Sequence, residues 1–370
     1  MNIVILHAYS ASNSGDGLLV DLAIEVIQRN FGLKCNITVV ASDPESFNSL
    51  PQPKFPAPIM AAKPLKRILD AVFVNRSYAP LSKLLEKADL IVGVGGGYMR
   101  SKTNVERLKL NLGHGKQLET GIKSNVPIIY LPQSIGPFHG NHEDIIKNYS
   151  AANAVFARDD RSKQIFSTVN TVHRSPDLAV QALAKKVLAN HAFIESKSTP
   201  ETICLVLRKP PAWDDKKKAK YKENLQEMIK KLSPKSKIIY AVQSSVRGNN
   251  DELFYKELGI TEPLLPLKET LSKFNPDLVI SVRLHGAIES LISGFPAFHI
   301  SYERKGFGAY EDMGVSDWVV NGANFDTNHV IKTIFKPGAL QEFKDKVISS
   351  CKNIEKQTLK MDEIIKGIVR

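Results

Sequence analysis

Cysteine is scarce. Cys35, Cys204 and Cys351 are the three in 370 residues. Odd in number and far apart, they supply neither a disulfide framework nor a CxxC metal site, and a reducing, cytoplasmic compartment is expected. Long apolar runs are also missing. No stretch approaches the roughly 18 apolar residues that span a bilayer, and the opening MNIVILHAYS lacks the basic flank and length of a signal peptide. The nine histidines are scattered. HGNH (139–142) stands outside any HExxH context and no Asp/Glu cluster joins it, so no metal is expected. No RNP, helix-turn-helix or zinc signature supports nucleic-acid recognition. GVGGGYM (93–99) is rich in glycine, yet Tyr98 stands where GxGxxG has its last glycine, and the Lys-Ser/Thr of a P-loop is absent. Nicotinamide binding and Walker-type ATP hydrolysis therefore lack support.

What is present describes a globular chain. The hydrophobic fraction is 43% and the mean hydropathy −0.17, enough for a core, and the length favours two domains. The formal net charge of +12 admits three partners: nucleic acid, an anionic membrane surface or an anionic substrate. Much of the excess lies between Lys209 and Lys237. There DDKKKAKYKENLQEMIKKL places Tyr221, Leu225, Met228, Ile229 and Leu232 at helical spacing. The lysines thus occupy the outer face of an amphipathic helix, either simply solvated or resting on anionic lipid.

Short apolar segments alternate with helical ones, the pattern of an α/β protein with parallel sheets. Strands are expected at Ile3–Leu6, Ile37–Ala41, Leu90–Val94, Ile128–Leu131 and Ala154–Ala157. A second series runs Ile203–Leu207, Ile238–Val242, Leu278–Val282 and Ala297–Ile300. A helix is expected from about Leu18 to Asn30, and proline-rich 51–64 reads as a loop or extended excursion. The polar interval 190–202 reads as a linker. The domains are therefore set at 1–190 and 200–336, with a helical tail over 337–370. Its apolar positions are Phe343, Val347, Ile354, Leu359 and Ile364. ADLIVGVGGG (88–97) and PDLVISVRLHG (276–286) echo each other, as two Rossmann-like units would.

In such sheets ligands bind beyond the carboxyl ends of the strands, where the polar motifs of this chain fall. In YSASNSGDGLL (9–19), Gly15 and Gly17 permit close backbone approach ahead of a helix. Asp16 there is an N-cap, an acceptor of sugar-hydroxyl hydrogen bonds, or a base. The glycines Gly95, Gly96 and Gly97 let a ligand or an opposing domain near the backbone. LPQSIGPF (131–138) is a rigid turn and serves as scaffold. In ARDDRS (157–162), Arg158 ends a strand, salt-bridged to a neighbour or aimed at an anion, and Asp159 or Asp160 caps the next helix. SVRLHGA (281–287) and ISYERKGFG (300–308) end two successive strands, bringing Arg283, His285 and Lys305 to one pocket's width. An imidazole at a helix start among cations is suited to moving a proton near neutral pH.

Taken together, NSGD (13–16), GVGGGYM, LPQSIGPF, ARDDRS, SPDLA (175–179), SVRLHGAI and SYERKGFG resemble the polysaccharide pyruvyl transferase family in order and spacing over roughly 300 residues. Residues 40–80, the lysine-rich helix and the tail carry little of the resemblance. It implies a glycosyltransferase B-like fold of two Rossmann-like domains facing a cleft. It also implies transfer of pyruvate from phosphoenolpyruvate onto two hydroxyls of a sugar, giving a cyclic ketal. The acceptor would belong to a cell-surface polysaccharide or its precursor, such as a lipid-linked oligosaccharide, and no cofactor is required. Arg158, His285 and Lys305 match the family positions that handle phosphoenolpyruvate. Arg283 joins them as a candidate contact, while Asp16, Asn13, Gly15 and the three glycines are candidates on the acceptor side. Many relatives carry an acidic residue soon after GD, where this chain has GLL. A donor with a carboxylate and a phosphate calls for several cations, and protonation of its methylene carbon calls for a general acid, the role assigned to His285. The alternative is a nucleotide-sugar glycosyltransferase of the same fold, and a third reading is a membrane-associated scaffold without catalysis. The expected location is cytoplasmic, with a peripheral contact at the inner face of the cell membrane if the basic face binds lipid.

Overall fold

A computed structural model of the chain describes residues 1–189, 193–211, 213–244 and 250–369. The chain divides into two compact units. One comprises Met1–Ala11, Asp16–Leu178 and Gln357–Arg370, the other Ser12–Gly15 and Ala179–Lys356. The first three residues of the polar interval 190–202 lie outside the described residues.

The first unit holds strands β1 (Asn2–Ala8), β2 (Asn36–Ala41), β3 (Lys54–Pro56), β4 (Leu90–Gly93), β5 (Gly96–Met99), β6 (Ile128–Ile135), β7 (Ala154–Ala157) and β8 (Val172–Arg174). All its pairings are parallel, in the order β3-β2-β1-β4-β6-β7-β8, with β5 on the end of β6. Parallel strands covered on both faces read as continuous apolar runs. The buried stretches Ile3–Leu6 and Ile128–Leu131 are of that kind.

The second unit holds β9 (Thr202–Val206), β10 (Lys237–Val242), β11 (Leu265–Pro266), β12 (Leu278–Ser281), β13 (Ala297–Ser301) and β14 (Val319–Asn321). They run parallel in the order β11-β10-β9-β12-β13-β14. In both sheets the chain reverses direction of strand addition beside the first strand, between β1 and β4 and between β9 and β12. Such reversal points are where an open α/β sheet forms its ligand crevice.

The first helix runs from Ser14 to Phe31, starting earlier than its apolar periodicity indicates. Lysine-rich Asp215–Leu232 is a helix that buries Tyr221, Asn224, Leu225, Met228 and Leu232, with Asp214 accepting at its N-cap from the Lys217 amide. Proline-rich 51–64 contains the short strand β3. The C-terminal helix Ala339–Ile368 buries Phe343, Val347, Cys351, Ile354, Met361 and Ile365. Leu359, an expected seam position, is 58% exposed, because a 3.6-residue period from Ile354 passes through Met361 and Ile365 instead.

Candidate active site

The second unit carries His285 on the first turn of the helix Leu284–Ile292, directly after β12. The tip of β12 is built on a buried ion pair. Arg283, at the N-cap position, binds the carboxylate of Asp251 through Nε (2.9 and 3.1 Å) and Nη2 (2.5 Å). Asp251 also accepts from the amides of Gln243 and Ser244, at 3.2 and 3.0 Å. A buried bidentate pair of this kind fixes geometry more than it adds stability. Arg283 is thus anchored by Asp251 in this unit.

The NSG part of the NSGD motif meets this tip. Asn13 bridges Ser244, the Ser14 amide donates to the Gln243 carbonyl at 3.3 Å, and the Ser14 hydroxyl donates to Glu289 at 3.2 Å. Gly15 faces His285 so closely that a Cβ there would lie 2.6 Å from both Cβ and Nδ1 of the imidazole. Gly15 therefore lacks a side chain because His285 occupies its space. Gly286 is required in the same way, since a Cβ would stand 2.5 Å from Gln243 Oε1 and 2.8 Å from Ser281 Oγ.

Glu289, four residues after His285 and thus on the same face of the helix, is a further candidate that motif reading passed over. Burial raises its carboxyl pKa, opposed by the hydrogen bonds from Ser14 and Gln243. The i, i+4 spacing in HGAIE was the signal available. Lys305 lies in the first turn of the helix Arg304–Asp312, after β13, and its ammonium pairs with Glu303 at 3.1 Å. Strands β12 and β13 are neighbours, so His285 and Lys305 both follow adjacent strand ends. Beneath them His299 is buried, with Nδ1 2.9 Å from the Ser281 carbonyl. Burial lowers its pKa to about 4, with Lys305 adding to the effect. A Cβ on Gly306 would stand 2.4 Å from its Nε2.

In the first unit, Arg158 follows β7 and is 3% exposed. Its Nη1 pairs with Asp177 of the SPDLA motif, and its Nε donates to Ser134 Oγ at 3.0 Å. Ser134 in turn donates to Asp159 at 2.6 Å, and Asp159 caps the following helix by accepting from the Ser162 amide at 2.8 Å. LPQSIGPF thus supports the arginine. The buried Nη2 of Arg158 has no hydrogen-bond partner among the described residues, an uncommon condition for a cation. Asp16 is half-buried as the third residue of its helix, where its charge complements the helix dipole.

The glycine run has mixed causes. Gly95 must be glycine because a Cβ would come within 2.7 Å of the Pro132 carbonyl. Gly96 has φ +148°, which side-chain-bearing residues avoid. Gly97 lies in β5. Tyr98, the residue that breaks the dinucleotide pattern, stacks at 4.7 Å on His7 and lies 4.6 Å from His114, centroid to centroid.

His7 and His114 form the second constellation that motif reading missed. His7, next to last in β1, has φ 71° at a register shift, and His114 sits in a π-helical turn, Asn111–Gly115. Such irregularities concentrate at functional sites. Tyr130 is fully buried, and among the described residues its hydroxyl meets one partner, His7 Nε2 at 2.9 Å. Its proton is accordingly donated to His7, which leaves the His7 proton on Nδ1. That Nδ1–H then donates to Nδ1 of His114, 3.1 Å away, and the proton of neutral His114 falls to Nε2. Burial keeps both rings neutral, lowering His114 to about 4 and His7 well below its usual value. Among the described residues no group of three or more His, Cys, Asp or Glu converges as a metal site, and no helix is long and apolar enough to cross a membrane.

Solved structures share this architecture. The chain aligns with UDP-GlcNAc 2-epimerase from Methanocaldococcus jannaschii at 13% identity, covering 97% of this chain and 99% of that one, with a TM-score of 0.53. The Neisseria meningitidis UDP-GlcNAc 2-epimerase gives 14% identity, 97% and 100% coverage and a TM-score of 0.52. An alpha,alpha-trehalose-phosphate synthase (UDP-forming) from Burkholderia vietnamiensis gives 11%, 99% of each chain and 0.53. At these identities the likeness is one of fold, and it defines a two-sheet α/β protein of the glycosyltransferase B-like class. Among curated protein sequences nothing matches. The family model for polysaccharide pyruvyl transferases matches residues 13–304, and the chain belongs to that family.

Proposed function

We propose that the protein transfers pyruvate from phosphoenolpyruvate to two hydroxyls of one sugar residue in a cell-surface glycan or its precursor, releasing phosphate. The observation that carries this reading is the family match across both units, joined to the tight seating of His285 against Gly15 in the second. His285 gives a proton to the methylene carbon of phosphoenolpyruvate, leaving an oxocarbenium-like centre at the enol carbon. One sugar hydroxyl adds there and loses its proton. The C–O bond to phosphate breaks, and the second hydroxyl closes the ring and loses its proton. One hydroxyl proton replaces that spent by His285 and the other leaves with phosphate, so the sum is donor plus diol to ketal plus inorganic phosphate.

Lys305 and Arg158 supply cationic donors for the carboxylate and phosphate, Arg158 through its Nη2, and they stabilise the charge that develops on the leaving group. Arg283, already paired with Asp251, acts mainly by holding the turn that presents His285. On the acceptor side, at the end of β1, Asp16 orients or deprotonates a hydroxyl, and neutral His114 donates from Nε2 to a sugar oxygen. Asn13 and Gly15 shape the backbone at His285.

Titration calorimetry separates this from nucleotide-sugar glycosyl transfer. Phosphoenolpyruvate is expected to bind while UDP and GDP give no heat of binding. Tight nucleotide binding without phosphoenolpyruvate binding contradicts the proposal.

A further inference from the structure

An exposed apolar surface of the first unit lies away from the site residues discussed so far. The helix Pro64–Val72 and its C-cap residue expose Ile68 (66%), Leu69 (63%), Val72 (69%) and Phe73 (59%). At 100° per residue these four side chains fall within one side of the helix. The next helix, Val74–Leu85, turns Tyr78, Leu81 and Leu85 into the core, so the unit folds without covering the patch. A cavity of about 320 Å³ opens beside it, lined among others by Phe55, Ala57, Ile59, Lys66, Arg76 and Pro80. Four contiguous large apolar side chains are far from the scattered single exposures of an ordinary surface.

Charge identifies what the patch meets. Residues 63–83 contain five cations, Lys63, Lys66, Arg67, Arg76 and Lys83, against the single carboxylate of Asp70. All five are exposed, and Asp70 is engaged by the Ser77 hydroxyl at 3.2 Å. No ion pair involves any of the five among the described residues, although Arg67 also donates to the carbonyls of Ile59, Met60 and Ala62.

The lysine-rich helix Asp215–Leu232, which composition alone marks as the basic face, differs on both counts. Lys217, Lys218, Lys220 and Lys231 pair with the carboxylates of Asp214, Asp215, Glu223 and Glu227 respectively. None of its described residues is an exposed large apolar side chain. An apolar strip flanked by uncompensated cations is the composition of a helix lying in a bilayer interface, with its side chains among the upper acyl carbons and its cations at anionic headgroups.

We propose that residues 64–76 dock the protein on an anionic phospholipid surface, with Ile68, Leu69, Val72 and Phe73 inserted and Lys66 and Arg76 at the headgroups. This surface is independent of the pyruvyl-transfer reading, and its bearing on it is that a lipid-carried acceptor would be met at the membrane.

The full-length protein is floated with phosphatidylcholine vesicles prepared with and without phosphatidylglycerol. Binding is expected to the anionic vesicles and to fall with added salt. Leu69→Ser with Phe73→Ser lowers the bound fraction about tenfold or more, and Lys66→Glu with Arg76→Glu does the same. Lys217→Glu with Lys222→Glu on the lysine-rich helix leaves it unchanged. All the substituted side chains are exposed or half-buried, so thermal unfolding temperatures stay level and exclude misfolding as the cause. Phosphate release with a soluble acceptor, measured alongside, tests the pyruvyl-transfer reading separately and is unaffected by the Leu69/Phe73 pair. Absence of vesicle binding by the unaltered protein, or full binding by the Leu69/Phe73 variant, overturns the proposal. So does sedimentation showing that the patch joins two copies of the chain while neither form floats.

Discussion

Gly15 and His285 illustrate how one missing side chain can serve another. Gly15 lies in the first turn of its helix, where alanine would ordinarily stabilise by roughly 1 kcal/mol. A Cβ placed 2.6 Å from the imidazole opposes this with an overpacking cost of about 1–3 kcal/mol. The second effect wins or cancels the first, and the strain falls on His285. Gly15→Ala is therefore expected to change unfolding stability by no more than about 2 kcal/mol and to lower kcat/KM by about a hundredfold. Denaturant titration beside steady-state kinetics checks it, and unimpaired kinetics would separate the two residues.

The residue types at this tip were legible: RLHG after an apolar strand announced Arg283 and His285. Their partners were not. Asp251 is 32 residues from Arg283, and the roles of Ser14 and Gly15 depend on contacts some 270 residues away in sequence. Arg158 shows the same limit. Its position at a strand end left salt bridge and anion contact both open, and only tertiary structure pairs Nη1 with Asp177 while leaving Nη2 without a partner.

Among elements, the central strands were plain because parallel strands buried on both faces write themselves as apolar runs. The short ones escaped for the converse reason. β5 is Gly-Gly-Tyr-Met and β8 is Val-His-Arg, sequences in which pairing to β6 and β7 outweighs weak β propensity. His7 and His114 were equally hidden. Nothing in LHAYS marks a left-handed residue, and a π-helical turn has no composition of its own.

The buried imidazoles carry a pH dependence with a defined sign. His114 and His299 are lowered to about 4 and His7 is held well below its usual value by burial and by His114. The unfolded chain near pH 6.5 thus binds protons that the folded chain refuses. Stability from these groups is complete above about pH 6.5 and is lost as pH falls toward 4, at up to about 1.4 kcal/mol per pH unit for each imidazole. Glu289, raised by burial, works in the opposite direction. His114→Gln, which keeps a donor near Nε2, is expected to flatten the acid limb by one imidazole's share in urea titrations run across this range. An unchanged slope would mean His114 is not neutral in the fold.

For the molecule as a whole, two parallel sheets of the same strand plan each bring their polar motifs to the end where the strand order reverses. The echo between ADLIVGVGGG and PDLVISVRLHG, visible in the sequence, is that repetition: the two segments form β4 and β12. Net charge was less informative than its placement. Four of the seven lysines on the helix that composition pointed to are paired with carboxylates of that helix or its N-cap, whereas the cations flanking the exposed apolar strip form no ion pair among the described residues. Composition counts charges and cannot see which are compensated.

On the proposed function, His285 protonates phosphoenolpyruvate during ketal formation. The most direct test is acceptor-dependent phosphate release from phosphoenolpyruvate by His285→Ala and the unaltered protein, over soluble and lipid-linked glycans, with mass spectrometry of the product. A sugar heavier by one pyruvyl ketal and one phosphate released per ketal are expected. His285→Ala is expected to lose about a thousandfold or more in kcat, with phosphoenolpyruvate binding retained. Turnover by His285→Ala at the rate of the unaltered protein would contradict it.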